Sequence, residues 1–172
     1  KGLGMRILAF DPYLTDDRAG KLGVEVAAGL DQLLAEADYI TVHLPKTNET
    51  IGMFGPDEFA KMKDGVRLVN TARGGIFQED ALVAALESGK LLGAGLDVWS
   101  NEPPEDFTLA KHPRVVATPH LGASTVEAQE RVATDTAAAV LDALGGSLAV
   151  SALNLPFRAA GSRGEPYLLL GE

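Results

Sequence analysis

The chain has 172 residues, 46% of them hydrophobic and 23% charged, with no cysteine, which suits one domain of ordinary size with a real core. Its 15 Lys and Arg against 24 Asp and Glu leave a net charge of −9, excluding a generic nucleic-acid binder built on a basic face. Without cysteine there is no disulfide framework or thiolate metal site, and no apolar run approaches the ~20 residues of a membrane span.

No charged-then-apolar signal peptide opens the chain. A cytoplasmic protein with no metal, membrane partner or nucleic-acid partner is therefore expected. The chain starts at Lys1 and enters a strand almost at once, so it reads as a piece of something longer. Arg6 to Phe10 is a compact apolar run closed by Asp11-Pro12. A helical stretch from Thr15 to Lys21 stops at Gly23, and Val24-Glu25-Val26 forms a short strand. Leu30, Leu33, Leu34 and Ala37 share one helix face. Tyr39 to Val42 is β-rich and ends in His43-Leu44-Pro45. Pro56 to Lys63 reads as a helix with an early proline and Gly65 as its stop.

Val66 to Asn70 is the next strand, Glu79 to Ser88 a helix ended by Gly89, and Ala94 to Val98 another strand. Val115 to Ala117 is short and extended. Ser124 to Leu144 is a long helix opened by a capping box of Ser124 and Glu127, with an apolar stripe through Ala128, Val132, Ala133, Val140, Leu141 and Leu144. The repeated switch between short strands and amphipathic helices is the signature of a parallel sheet with crossover helices. Residues 1–149 form the domain on this reading, and residues 150–172 are a linker.

Ligands of open α/β sheets bind outside the carboxyl ends of the strands. Asp11, His43-Leu44-Pro45, the turn from Asn70 to Gly75, Asp97 and His120 all follow expected strands. Taken alone, Asp11 reads more readily as a solvated turn acid. On a sheet edge it can accept from a ribose 2′-hydroxyl and repel a 2′-phosphate, which favours NAD over NADP. Arg73 sits beside Gly74 and Gly75, which allow close backbone approach to a ligand. Its guanidinium can grip a carboxylate through two parallel hydrogen bonds, although a surface arginine at a helix end fits the same spacing. Glu102 and His120 suit an acid–base pair for removing a hydroxyl proton. Spacing alone does not choose His120 over His43, readable as a buried strand-end residue, or over His112 in a charged loop.

Three ordered motifs carry a resemblance. Asn70-Thr71-Ala72-Arg73-Gly74-Gly75, then Leu96-Asp97-Val98 leading to Asn101-Glu102-Pro103-Pro104, then Thr118-Pro119-His120-Leu121-Gly122-Ala123-Ser124-Thr125 resemble the D-2-hydroxyacid dehydrogenase family, and the last stretch resembles its phosphoglycerate branch. The resemblance implies a doubly wound, Rossmann-like parallel sheet, here incomplete at the N-terminus. The family's GxGxxG segment and first strand are expected upstream, and Gly2-Leu3-Gly4 is no substitute for them. It further implies Arg73, Glu102 and His120 as catalytic residues, with Arg73 on the substrate carboxylate. For the NAD cofactor it implies Asp11 at the adenosine ribose, Leu44 and Pro45 at the adenine, and Thr71, Ala72 and Arg73 beneath the nicotinamide. Asp97 would lie at the carboxamide, and the backbone of His120, Leu121, Gly122 and Ala123 would complete the pocket. A small-molecule 2-hydroxy acid is the implied partner, and a homo-oligomer the implied assembly. Two alternatives share the fold: a non-catalytic NAD-sensing module, and a reductase of glyoxylate or hydroxypyruvate.

Overall fold

The structure is a computed structural model that describes residues 2–146. The described residues divide into two units on either side of the Gly122–Ala123 bond, residues 2–122 and residues 123–146. In the first, β1 (Leu8–Ala9), α1 (Asp16–Leu22), β2 (Glu25–Val26), α2 (Leu30–Glu36), β3 (Tyr39–Val42), α3 (Pro56–Lys61), β4 (Val66–Asn70), α4 (Glu79–Glu87), β5 (Leu91–Leu96) and β6 (Val115–Ala117) follow in order. All strand pairs are parallel: β1 with β2, and β3-β4-β5-β6 as a separate four-stranded sheet. This is the parallel sheet with crossover helices that the pattern predicts, and the Rossmann-like class that the resemblance implies. The linker boundary at 149/150 lies outside the described residues.

Local chemistry sets most boundaries. Thr15 caps α1 by accepting from the Arg18 N–H, and Gly23 ends it at φ 60°, where glycine carries no Cβ penalty. Pro56 opens α3, and the Glu58 carboxylate accepts from the Gly55 N–H at 3.0 Å, satisfying one of the donors a helix start leaves open. That helix ends at Lys61 rather than Lys63, and Gly65 at φ 83° turns the chain into β4. Only Leu8 and Ala9 of the Arg6–Phe10 run pair as strand. The fifth strand begins at Leu91 and ends at Leu96, so Asp97 and Val98 lie beyond it. Glycines at 93 and 95 within that strand hid its start, because strand propensity depends on side chains that pack.

On β4, Val66, Leu68 and Asn70 are buried while Arg67 and Val69 are exposed, the period-2 alternation of a sheet with one covered face. Leu34 of α2, Phe59 of α3, and Leu82 and Leu86 of α4 join Ile40, Val42, Leu68, Leu91 and Leu96 in one core. On the opposite face Arg67 lies over the Tyr39 ring, 5.2 Å from its centroid, and Val69 and Val116 are exposed.

Register brings the loops together. Val42 is paired with Asn70, Asn70 with Leu96, and Leu96 with Ala117. The segments that begin at His43, Thr71, Asp97 and Thr118 therefore leave the sheet side by side.

In the second unit, α5 (Val126–Leu144) is capped by Thr125, whose hydroxyl accepts from the Ala128 N–H at 3.2 Å. The Ser124–Glu127 capping box is thus corrected by one position. No residue of α5 is buried, and Val132, Val140, Leu141 and Leu144 of its apolar stripe are exposed.

Leu68→Ala, at the centre of the core, should cost about 2–5 kcal/mol in chemical denaturation of the full-length protein. Val69→Ala, on the open face, should change it by under about 1 kcal/mol. Equal losses at the two positions would refute the one-sided core.

Candidate active site

Asn70, the last residue of β4 and 3% exposed, straps the turn that follows it. Its Nδ2 donates to the Arg73 carbonyl at 2.9 Å, and its Oδ1 accepts from the Ala72 N–H at 3.0 Å. A Cβ at Gly74 would lie 1.7 Å from the Trp99 carbonyl oxygen, so only glycine fits. The sequence suggested that Gly74 admits a ligand; the close approach is in fact to the protein's own chain. Arg73 is exposed, with Nη1 donating to the Ala72 carbonyl at 2.6 Å.

Asp97, 8% exposed, holds the loop after β6. Its Oδ1 accepts from the Thr118 hydroxyl at 2.5 Å and the Leu121 N–H at 2.8 Å, and its Oδ2 accepts from the Gly122 N–H at 3.0 Å. Burial opposes this charge, but the three donors outweigh it and hold the carboxyl below the usual carboxylate range. The same contacts pin the two residues after His120, whose φ of 60° costs about 1–2 kcal/mol for a residue with a Cβ.

In that conformation the His120 ring meets Glu102, Nδ1 to Oε2 at 2.6 Å. The other carboxylate oxygen accepts from the Trp99 N–H at 3.1 Å. The hydrogen bond from His120 is the main reason the Glu102 carboxyl is held below its ordinary range, with the Trp99 N–H adding to it against partial burial. Both side chains remain over a third exposed, so the pair is ordered yet open to a ligand. Of the three histidines, His120 alone meets a carboxylate within the described residues. His112 Nδ1 accepts from the Arg114 N–H within its own loop. His43 is exposed rather than buried, 3.0 Å from the Thr41 hydroxyl.

Leu44 and Pro45 line an open cavity of about 490 Å³ together with His43, Lys46, Ala72 and Arg73. Thr71, between Asn70 and Ala72, is exposed. Asp11 follows β1 outside that lining, and its Oδ1 accepts from the Tyr13 N–H at 2.8 Å, closing a turn. Ala123 belongs to the second unit, where its carbonyl accepts from the Gln129 side chain at 2.7 Å. Sequence reasoning missed Trp99, whose indole N–H donates to the Thr118 carbonyl at 3.0 Å, and Thr118 itself. A threonine just after a strand was the only available signal for the latter. Among the described residues, no cluster of three metal-ligating side chains is present, and no helix is long and apolar enough to cross a membrane.

Parallel strands with crossover helices, and polar loops gathered at their carboxyl ends, define a nucleotide-binding α/β domain. The family model "D-isomer specific 2-hydroxyacid dehydrogenase, NAD binding domain" matches residues 1–122, and the chain belongs to that family. It is 49% identical over 175 residues to D-3-phosphoglycerate dehydrogenase 2, chloroplastic, of Arabidopsis thaliana, covering 100% of this chain and 28% of the relative. It is 51% identical over 156 residues to D-3-phosphoglycerate dehydrogenase of Bacillus subtilis, covering 91% of this chain and 30% of the relative. The chain thus spans less than a third of these relatives. Among solved structures, apo D-mandelate dehydrogenase of Rhodotorula graminis superposes with a TM-score of 0.79 at 35% identity, covering 91% of this chain and 46% of the other. D-lactate dehydrogenase of Aquifex aeolicus, complexed with NAD and lactic acid, gives 0.73 at 35% identity, covering 84% and 48%.

Asp97→Asn replaces one acceptor with an N–H₂ group facing a donor, which should cost about 1–3 kcal/mol. The folded carboxyl is depressed, so its stabilising contribution is complete above the unfolded range near pH 4 and is lost as pH falls through the folded value. In denaturation of the full-length protein, the gap between native and variant should hold steady above about pH 5 and shrink on further acidification. A gap that widens in acid would overturn this account.

Proposed function

We propose that this chain is the nucleotide-binding part of an NAD-dependent dehydrogenase that oxidises 3-phospho-D-glycerate to 3-phosphohydroxypyruvate. The observation that carries the chemistry is the 2.6 Å His120–Glu102 contact between the loops that follow β6 and β5, the latter neighbouring the Arg73 turn after β4. The substrate is inferred from the two D-3-phosphoglycerate dehydrogenases to which the chain is about half identical.

An ionised carboxylate only accepts hydrogen bonds, so Glu102 selects the ring tautomer with the proton on Nδ1. Nε2 then carries a lone pair and can take the proton of the substrate hydroxyl as the C–O bond becomes a carbonyl. The Glu102 charge stabilises the imidazolium that results. In the reverse direction the same nitrogen returns the proton. Arg73 holds the substrate carboxylate through parallel N–H bonds and fixes which face of the reacting carbon is presented.

The cavity suits a dinucleotide: Leu44, Pro45 and Ala72 give it apolar surface, and Lys46 and Arg73 place cations at its edge. Bound NAD supplies the acceptor for the hydride. Leu44 and Pro45 would flank the adenine, and Thr71, Ala72 and Arg73 would support the nicotinamide. Asp97 and the backbone of His120, Leu121 and Gly122 would close around the carboxamide. The Asp11 carboxylate has Oδ2 available to a ribose hydroxyl while Oδ1 keeps the turn. Its charge disfavours a 2′-phosphate.

In the full-length enzyme, Glu102→Gln removes the charge that favours the protonated ring. Turnover in the oxidative direction should fall about tenfold or more, and its pH profile should move toward lower pH. An unmoved profile would refute the assigned pairing. Asp11→Ala should reduce the preference for NAD over NADP in kcat/KM; an unchanged ratio would remove Asp11 from cofactor choice.

A further inference from the structure

We propose that Glu79 is a positioning residue that fixes the loop carrying Glu102, an inference that rests on the His120–Glu102 chemistry proposed above. Glu79 is the first residue of α4 and half-buried, and its Oε1 accepts from the Ser100 N–H at 2.8 Å. The peptide unit from Trp99 to Ser100 is thereby held at both ends. Its carbonyl lies against Gly74, where a Cβ would come within 1.7 Å of the oxygen, and its N–H is bound by Glu79. One residue back, the Trp99 N–H donates to Glu102. Were the Ser100 N–H released, the Trp99–Ser100 stretch of chain could shift, and the neighbouring Trp99 N–H would move with it off the Glu102 carboxylate. Arg73 and Glu79 lie six residues apart on the one segment that joins β4 to α4. That segment thus supplies both the substrate-facing arginine and the acceptor that sets the opposite loop.

An acid at a helix start has a simpler role, its charge opposing the positive end of the helix dipole. Reach and charge separate the two. Glu79→Gln keeps an acceptor oxygen at the same reach and loses the charge. Glu79→Asp keeps the charge and falls one methylene short of Ser100. Glu102 and Asp97 are the carboxylates that interact with His120, and neither is altered.

The experiment compares both variants with Glu102→Gln in the full-length enzyme, following the pH profile of turnover and, by proton NMR, the His120 Nδ1–H signal that lies downfield while it donates to a carboxylate. Glu79→Asp is expected to lose about tenfold in kcat, to shift its profile toward that of Glu102→Gln, and to lose the downfield signal. Glu79→Gln should stay within about twofold of the native enzyme and keep the signal. The reverse pattern, or equal behaviour of the two variants, would overturn the positioning role. The NMR signal reads the geometry without turnover. If Glu102→Gln leaves the pH profile unmoved while the Glu79 variants alter the signal as expected, the catalytic reading fails and the positioning of Glu102 stands.

Discussion

The main chain at Trp99 lies so close to Gly74 that no side chain fits between them, and the site is organised around that contact. It joins the loop after β4 to the loop after β5 without any side-chain interaction. That contact itself involves no ionisable group. Trp99 extends it in two further directions, through its N–H to Glu102 and through its indole N–H to the Thr118 carbonyl. Three loops that start on adjacent strands become one rigid edge. Close packing of main chain is less forgiving than a hydrogen bond, since overlap rises steeply where a hydrogen bond only lengthens.

The rest of the edge is electrostatic. Asp97 accepts three hydrogen bonds, and Glu102 accepts one at each oxygen. Both carboxyls stay ionised below their usual range because donors converge on them. The two acids divide the work: Asp97 shapes the backbone that turns His120 outward, and Glu102 meets the ring itself. A chain with a net charge of −9 thus sets ordered anions around an imidazole and leaves Arg73 and Lys46 as the cations lining the cavity.

Much of this was legible in the residues. β3, β4 and β6 run from the first to the last residue that the apolar pattern marks, because β-branched residues bounded by turn signals leave little choice. Gly23 announced the end of α1, whereas Thr15, read as the first helical residue, is its cap. β5 was misplaced because its two glycines carry no side-chain pattern, and the start of α5 because serine, the stronger capping residue, stands at position 124 directly before the threonine that caps the helix. The strand-end positions of Arg73, Asp97 and His120 were readable, but spacing alone left His120 level with His43 and His112, and it was the resemblance that implied Glu102 and His120 as the catalytic pair. Register was not readable, and it alone makes those loops neighbours. The role of Gly74 could not be inferred because its partner is a carbonyl 25 residues along the chain, a contact with no trace in residue type.

The stability of the molecule is unevenly distributed. The β1–β2 pair is two residues long on each side, apart from the four-stranded sheet, and its residues are exposed or half-buried, whereas β4 and β5 place Val66, Leu68, Leu91, Ala94 and Leu96 in the core. Segments with few buried contacts open locally at a small fraction of the global free energy. Asp11 rides on the weaker part and the His120–Glu102 pair on the stronger. If Asp11 and the His120–Glu102 pair have the roles proposed above, discrimination between cofactors and the chemical step fall in regions with different opening free energies. A ligand that engages Asp11 lowers the open population of its strand pair in proportion to occupancy, so amide exchange at β1 and β2 would report directly on that engagement.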